Sequence, residues 1–168
     1  IFIGGGTPTL PYLPRLQRLL SPINNASSPK NLTEFTSEAN PNTFDPPRAD
    51  ILAQNRVNRI SFGAQSFNPS ELKTLQRDHD PDSVPLAFQT ARNAGIHNLN
   101  LDLIFGIPGQ TLPSWEFSLA QALALKPQHM SCYSLTYEPN TAMTARLNHG
   151  EFTTIDEELE LAMFDHVH

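Results

Sequence analysis

The sequence predicts an α/β protein that folds as a partial, TIM-like barrel of parallel strands. Short apolar or alternating runs of strand length are each followed by a stretch of helical character, which is the order of parallel βα units. Two of the strand-like runs also alternate polar with apolar residues. A sheet covered by helices on both faces has apolar strands throughout, so a repeated polar face favours a barrel whose interior meets a polar ligand.

The predicted elements alternate along the chain. The strands are expected at about 1–4, 32–38, 58–65, 98–105 and 129–136, and the helices at about 13–20, 46–55, 82–94, 112–125 and 156–167. Asp82 begins the third helix, Gly95 is placed to end it, and Pro127 follows the fourth. Segments 21–31 and 40–48 are rich in Pro, Ser and Asn and predict loops. No internal boundary is visible, so we expect one domain over 1–168.

The polar faces predict where a site lies. Asn98, Asn100 and Asp102 alternate with leucines, and strand side chains point alternately to opposite faces. Sites in such barrels lie at the carboxyl ends of the strands. Conspicuous polar or glycine residues close or follow five different strands: Gly4-Gly5-Gly6, Glu38, Gln65, Asp102 and Thr136.

Composition excludes several classes of protein. Lys and Arg number 11 and Asp and Glu 17, a net charge of −6, which disfavours nucleic-acid binding. No apolar run approaches the roughly 20 residues that span a bilayer. Cys132 is the only cysteine, so it can form neither an intrachain disulfide nor a thiolate cluster. The start inside a strand without Met, and the end within a helical pattern, lead us to expect a fragment of a longer protein.

Individual residues carry signals of unequal strength. A carboxylate inside an apolar strand is costly to bury unless it is paired or binds something, which makes Asp102 the strongest single candidate. The glycine run can let a ligand approach the backbone closely or can simply form a tight turn. Glu38, taken alone, is better explained as a solvated strand end. Gln65 and Arg77, taken alone, are as compatible with a turn amide and a surface arginine as with a site.

Five segments in order resemble one family. They are Ile1-Phe2-Ile3-Gly4-Gly5-Gly6-Thr7-Pro8-Thr9, Glu38-Ala39-Asn40-Pro41, Asn58-Arg59-Ile60-Ser61-Phe62-Gly63-Ala64-Gln65-Ser66-Phe67, Asn100-Leu101-Asp102-Leu103-Ile104-Phe105-Gly106-Ile107-Pro108-Gly109-Gln110-Thr111 and Tyr133-Ser134-Leu135-Thr136-Tyr137-Glu138-Pro139-Asn140-Thr141. Together they resemble the radical S-adenosylmethionine (SAM) family, in the branch of oxygen-independent coproporphyrinogen III oxidase and a related heme chaperone.

The resemblance implies a fold and a set of binding residues. The family fold is a partial (β/α)6 barrel, of which this chain would hold strands two to six of the radical SAM core, truncated at both ends and lacking the first strand. The arginine would bind an acidic end of SAM, and the acidic residues would hold its amine and ribose hydroxyls. The matched SAM-binding positions are Gly5, Gly6, Thr7, Glu38, Gln65, Arg77, Asp102 and Thr136.

The resemblance also implies cofactors and partners. A [4Fe–4S] cluster would be held by three cysteines upstream of Ile1, so this chain alone is expected to be inactive. Residues beside Glu38 and after Gln65 favour the heme chaperone, with heme and a heme-acceptor protein as partners. The alternatives are the oxidase, which converts coproporphyrinogen III to protoporphyrinogen IX, and a nucleotide-binding barrel without a cluster. We expect a cytoplasmic location.

Overall fold

The described strands form a single parallel sheet. The computed structural model describes residues 1–5, 7–10, 12–26 and 32–167, without the side chains of Asn24 and Ala26. The strands are β1 (Phe2–Ile3), β2 (Thr36–Ala39), β3 (Arg59–Gln65), β4 (Asn98–Phe105) and β5 (His129–Ser134). They lie in the order β1-β2-β3-β4-β5, and every neighbouring pair is parallel.

Helices connect the strands, as parallel pairing requires. They are α1 (Leu13–Ala26), a 3₁₀ helix (Pro41–Thr43), α2 (Pro46–Gln54), α3 (Pro69–Thr74), α4 (Ser83–Asn93), α5 (Leu112–Ala124), α6 (Ala142–Asn148) and α7 (Glu157–Asp165). Consecutive strands are neighbours in the sheet, so each strand-to-strand connection is one βα unit. The predicted α/β class is confirmed, and the arrangement fits the predicted partial TIM-like barrel.

Strand β4 separates an apolar face from a polar one. Leu99, Leu101 and Leu103 are completely buried in the core. Asn100 and Asp102, at the alternate positions, are hydrogen-bonded to each other on the opposite face. The alternation predicted from the sequence is confirmed. It follows from the two-residue period of the strand.

Aromatic side chains join the sheet to its covering helices. The Phe62 ring of β3 lies 5.0 Å, between centroids, from Phe44 in an edge-to-face contact and 5.4 Å from Phe88 of α4. The Trp115 ring of α5 is completely buried beside Phe105, and its indole N–H donates to the Met163 carbonyl at 2.9 Å. That bond ties α7 to α5 and satisfies the buried indole donor.

Local sequence marks several helix ends. The Asp45 side chain accepts from the Arg48 amide at 3.0 Å and caps α2. Thr111 and Ser114 form a capping box at the start of α5. Gly95, with φ +87°, ends α4 as predicted, and the Ile96 amide then donates to the Ala91 carbonyl. These caps fix the points at which the chain leaves each helix.

Some predicted bounds are wrong. Helix α1 continues six residues beyond the predicted end at 20, through Pro22, into the segment predicted as a loop; residues 27–31 of that segment lie outside the described part of the chain. Leu16 and Leu20 are buried in the core and Ile23 packs against it, so tertiary packing outweighs the cost of the internal proline. The short helices α3 and α6 are absent from the predicted set.

Truncation in the sheet should cost far more stability than truncation on the surface. For Leu101→Ala we expect unfolding in urea to require about 2–5 kcal/mol less free energy, because the substitution leaves a cavity between β4 and its helices. Leu86→Ala, on the exposed face of α4, is the matched control and should change stability by about 0.5 kcal/mol or less. Equal losses for the two variants would contradict the described packing.

Candidate ligand-binding site

A polar cavity lies at the carboxyl ends of the strands. Its volume is about 200 Å³. Five of the eight predicted SAM-binding residues line it: Thr7, Glu38, Gln65, Arg77 and Asp102. They come from separate segments of the chain, and parallel pairing brings the ends of β1 to β4 to one edge of the sheet. The other lining residues are Ala39, Asn40, Ser61 and Gly63.

The glycine turn after β1 packs against Glu38. The Gly5 amide donates to the Glu38 carboxylate at 3.0 Å, and Gly5 has a φ of +91°. A Cβ atom on Gly4 would lie 2.4 Å from the Phe2 ring and 3.0 Å from the Glu38 carboxylate. The two glycines therefore allow an approach and a backbone conformation that other residues resist. Gly6, the third glycine, lies outside the described residues.

Asp102 is held in place by its neighbours on the polar face. The Ser61 hydroxyl donates to one carboxylate oxygen at 2.9 Å, and the Asn100 amide donates to the other at 2.8 Å. Asn100 is buried, donates also to Ser61 at 2.6 Å, and is contacted by His129 and Ser131 of β5. Each carboxylate oxygen keeps further acceptor capacity for a ligand. The half-buried position of Asp102 is thus explained by pairing within the sheet.

Gln65 follows an irregularity in β3. The register with β4 shifts between Gly63 and Gln65, and Gln65 has a φ of +64°. A Cβ atom on Gly63 would lie 2.8 Å from the Gln65 side-chain nitrogen. Gly63 therefore leaves the space in which the Gln65 amide lies. A glycine inside a strand is a recognisable signal of such a close approach.

Arg77 and His79 follow α3 on the loop beside β3. Arg77 is exposed and lines the cavity, whereas His79 is 4% exposed and its Nε2 atom lies 2.8 Å from the Ala64 carbonyl oxygen. Burial lowers the pKa of His79 below its ordinary value of 6.5, and nearby Arg77 lowers it further; the hydrogen bond to Ala64 and the charges of Asp78 and Asp80 act in the opposite direction. His79 is therefore a neutral hydrogen-bond donor at neutral pH.

The buried carboxylate of Glu71 links two connecting segments at the carboxyl ends of the strands. Glu71 of α3 is 4% exposed and accepts from the Ser66 hydroxyl at 2.5 Å, the Gln110 amide at 3.0 Å and the Ser114 hydroxyl at 2.6 Å. Three donors replace the water that the carboxylate loses on burial. The contacts connect the turn after β3 to the loop between β4 and α5. Both loops border the same edge of the sheet.

Two of the predicted residues that the structure describes, Gly5 and Thr136, are not among those that line the cavity. Thr136 is exposed two residues beyond β5, and it is absent from the cavity lining in the described part of the chain. Sequence reasoning did not select Ser61, Gly63 or Asn40 as lining residues, nor His79 as a support. The glycine within a strand was the available signal for Gly63. Nothing in the local sequence separates His79 from the other histidines, because its role depends on a contact with β3.

The charges of the cavity define the ligand it suits. Glu38 and Asp102 offer acceptors for amine and hydroxyl groups, and Arg77 offers a guanidinium for a carboxylate. Within residues 1–5, 7–10, 12–26 and 32–167, no group of three or more His, Cys, Asp or Glu could hold a metal ion. Across the same residues, no helix is both long and apolar enough to span a bilayer. A small ligand with an amine, a carboxylate and hydroxyls fits this donor set.

Fold and site together define the class of protein. The family model described as the radical SAM superfamily matches residues 1–121. The matched residues make up more than half of the 168-residue chain, which shows the family. The chain belongs to the radical SAM superfamily, as the sequence resemblance predicted.

Two proteins similar to this chain bear the name heme chaperone HemW. The chain is 40% identical over 166 residues to the heme chaperone HemW of Bacillus subtilis (strain 168), covering 98% of this chain and 44% of that protein. It is 42% identical over 146 residues to HemW of Escherichia coli (strain K12), covering 87% of this chain and 39% of that protein. The chain therefore spans less than half the length of these relatives.

A solved structure supports the fold assignment. Coproporphyrinogen III oxidase (HemN) from Escherichia coli, described as a radical SAM enzyme, superposes with a TM-score of 0.85 at 25% identity. The superposition covers 99% of this chain and 38% of that chain. The partial barrel and the predicted likeness to the oxidase branch are confirmed.

The family implies SAM and a [4Fe–4S] cluster, and the residues present fit only the first. The cavity offers the acceptors and the cation that the amine, hydroxyls and carboxylate of SAM require. Cys132, the only cysteine in the sequence, packs against the apolar core, and burial followed by the charge of Asp102 raises the pKa of its thiol. One thiol cannot supply the several thiolates that hold such a cluster. The present residues supply no cluster site.

The lowered pKa of His79 predicts a pH-dependent stability. Well above pH 6.5 the imidazole is neutral in both the folded and the unfolded chain, so its protonation does not lower the free energy of unfolding there. As the pH falls through 6.5, the unfolded chain takes up a proton that the folded chain resists, so the free energy of unfolding falls. Urea unfolding at about pH 7 and about pH 5 measures the loss, which His79→Gln should reduce.

His97→Gln, at an exposed position, controls for the removal of a histidine as such. The expected result is a smaller loss of stability on acidification for His79→Gln than for either the wild type or the control. An identical loss in all three proteins would show that His79 does not resist protonation in the fold.

Proposed function

We propose that this chain is the SAM-binding core of a radical SAM heme chaperone. The observation that carries the proposal is the convergence of Thr7, Glu38, Gln65, Arg77 and Asp102 on one polar cavity. Family membership supports SAM as the ligand. The relatives named heme chaperone HemW, which align over nearly the whole chain, support the more specific assignment.

Each residue has a role that follows from its chemistry. Glu38 accepts hydrogen bonds from the SAM amine, and Asp102, oriented by Ser61 and Asn100, accepts them from the ribose hydroxyls. Arg77 pairs with the SAM carboxylate, and Gln65 supplies an amide at the wall of the cavity. SAM supplies radical chemistry in this family when it is bound at an iron–sulfur cluster. We assign Gly5, Gly6 and Thr136 to the same site as predictions.

The domain and partner assignments extend this proposal. We take residues 1–168 as part of the radical SAM core, the partial barrel that binds SAM. Heme is the proposed cargo and a heme-acceptor protein the proposed partner, by analogy with the function named for the relatives. The cytoplasmic location remains a prediction.

The oxidase is the alternative that a specific observation favours. The likeness to HemN in fold extends over 99% of the chain. That likeness concerns the barrel, which both classes would share, whereas the sequence identity to the chaperones is higher. The two functions differ in what happens to the porphyrin. A chaperone binds and releases heme unchanged, and an oxidase decarboxylates coproporphyrinogen III.

Removing the cavity cation should weaken SAM binding. For Arg77→Ala in the full natural protein we expect a SAM dissociation constant about 10- to 100-fold higher by isothermal titration calorimetry, because a charged hydrogen bond to the carboxylate is lost. Arg18→Ala, on the exposed side of α1, is the matched control and should bind SAM as the wild type does. Equal affinities for the two variants would show that Arg77 does not contribute to SAM binding.

Heme binding and porphyrinogen turnover separate the two functions. The full natural protein should bind hemin with a saturable change in the Soret absorbance, and should pass it to an apo-protein acceptor such as apomyoglobin. Anaerobic incubation with coproporphyrinogen III, SAM and a reductant should yield no protoporphyrinogen IX. Stoichiometric hemin binding would support the chaperone. Turnover of the porphyrinogen without hemin binding would contradict the chaperone assignment and support the oxidase.

A further inference from the structure

The turn that presents Gln65 has an unfavourable backbone conformation. Gln65 has a φ of +64°, and the Ser66 amide donates back to the Ala64 carbonyl at 2.7 Å, which closes a γ-turn around Gln65. Turns of this positive-φ type are rare and strained. Such conformations persist only where the surrounding structure enforces them, and they concentrate at ligand sites.

Two buried side chains hold the residues on either side of Gln65. Before it, the Ala64 carbonyl accepts a second hydrogen bond from His79 at 2.8 Å. After it, the Ser66 hydroxyl donates to Glu71 at 2.5 Å. Both His79 and Glu71 are 4% exposed, so neither bond competes with bulk water. The γ-turn is therefore fixed from both sides.

The hydrogen bond to Ala64 shows which ring nitrogen of His79 carries a hydrogen. A carbonyl oxygen only accepts, so the Nε2 atom of His79 carries the hydrogen. The Nδ1 atom is buried and has no hydrogen-bond partner among the described residues. A buried polar atom without a partner is costly, and an apolar side chain at this position would avoid that cost. The bond to Ala64 is thus the one observed contact that calls for a histidine here.

We infer that His79 is a positioning residue for the SAM site, holding the Ala64 carbonyl and thereby fixing both Gln65 and Arg77 at the cavity. The hydrogen bond joins the loop that carries Arg77, two residues before His79, to the end of the strand that carries Gln65. One bond therefore links the two backbone segments that carry an amide and a cation of the same cavity. This inference rests on the proposed SAM-binding function.

Gly63 shows how closely the Gln65 side chain is placed. Its missing Cβ leaves room for the Gln65 side-chain nitrogen, which would lie 2.8 Å from such an atom. If the γ-turn relaxed to a φ below zero, the Gln65 amide would leave this space, and Ser66 would turn away from Glu71. His79 and Gly63 therefore act on the same side chain, one through the backbone and one through the space it occupies.

Glutamine and methionine at position 79 form a matched pair for the test. Both side chains are unbranched and similar in length, and only glutamine can donate to the Ala64 carbonyl. In the full natural protein, we expect His79→Met to raise the SAM dissociation constant about tenfold by calorimetry and His79→Gln to stay within about threefold of the wild type. Phe88→Leu, in the core beneath β3, controls for a loss of stability alone.

Amide hydrogen exchange of Ser66 gives a second measurement that needs no ligand. The His79→Met variant should exchange the Ser66 amide about tenfold faster than the His79→Gln variant, because the γ-turn has lost one of its supports. If both variants bind SAM equally and exchange Ser66 equally, the positioning role is wrong. If the wild type fails to bind SAM, the proposed function falls, and a difference in Ser66 exchange still reports the support of the turn.

Unfolding midpoints of His79→Met and Phe88→Leu separate a local effect on the SAM site from a general loss of stability. If His79→Met and Phe88→Leu lose similar stability but only His79→Met loses SAM affinity, the effect is local to the site. If Phe88→Leu weakens SAM binding as much as His79→Met does, His79 contributes to stability only, and the inference is overturned. Should His79→Met fail to fold, His79→Leu takes its place in the same comparison.

Discussion

The parallel pairing of β3 with β4 is the interaction on which the cavity depends. The register sets Ser61 beside Asn100 and Gly63 beside Asp102. The Ser61 hydroxyl of β3 therefore donates to the Asp102 carboxylate of β4 and accepts from the Asn100 amide of β4. A shift of one residue would turn the polar side chains into the core and Leu101 into the cavity. Burial of Leu99, Leu101 and Leu103 on the opposite face therefore fixes the register and, with it, the site.

Buried polar contacts extend this order from the strands to the loops. Glu71 holds the turn after β3 against the start of α5, and His79 holds the loop after α3 against the end of β3. Each group is satisfied by donors or acceptors from a different segment of the chain. Networks of this kind strengthen in a medium of low polarity and specify one arrangement. They explain how the end of β3 and the loop after α3 can present Gln65 and Arg77 at one cavity.

The family relationship and the local chemistry support each other without being the same evidence. The match over residues 1–121 shows the superfamily, and the fold agrees with a radical SAM oxidase. The cavity independently shows the carboxylates of Glu38 and Asp102 together with the Arg77 guanidinium among its lining groups. The chain spans less than half the length of these relatives, and SAM binding by it is our proposal. Heme binding and delivery rest on the relatives and await measurement.

The sequence by itself determined the order of strands and helices, the apolar face of β4 and most of the cavity lining. The element order, the apolar face of β4 and the lining residues Glu38, Gln65 and Asp102 follow from local periodicity and from the rule that carboxyl ends of parallel strands share one edge. Thr7 and Arg77 were predicted only through the family resemblance. The end of α1, the γ-turn at Gln65 and the role of His79 were decided only by the tertiary structure. Pro22 is tolerated because buried leucines hold its helix, and His79 matters because folding brings it to Ala64. Such contacts join residues distant in the chain, and no local pattern encodes them.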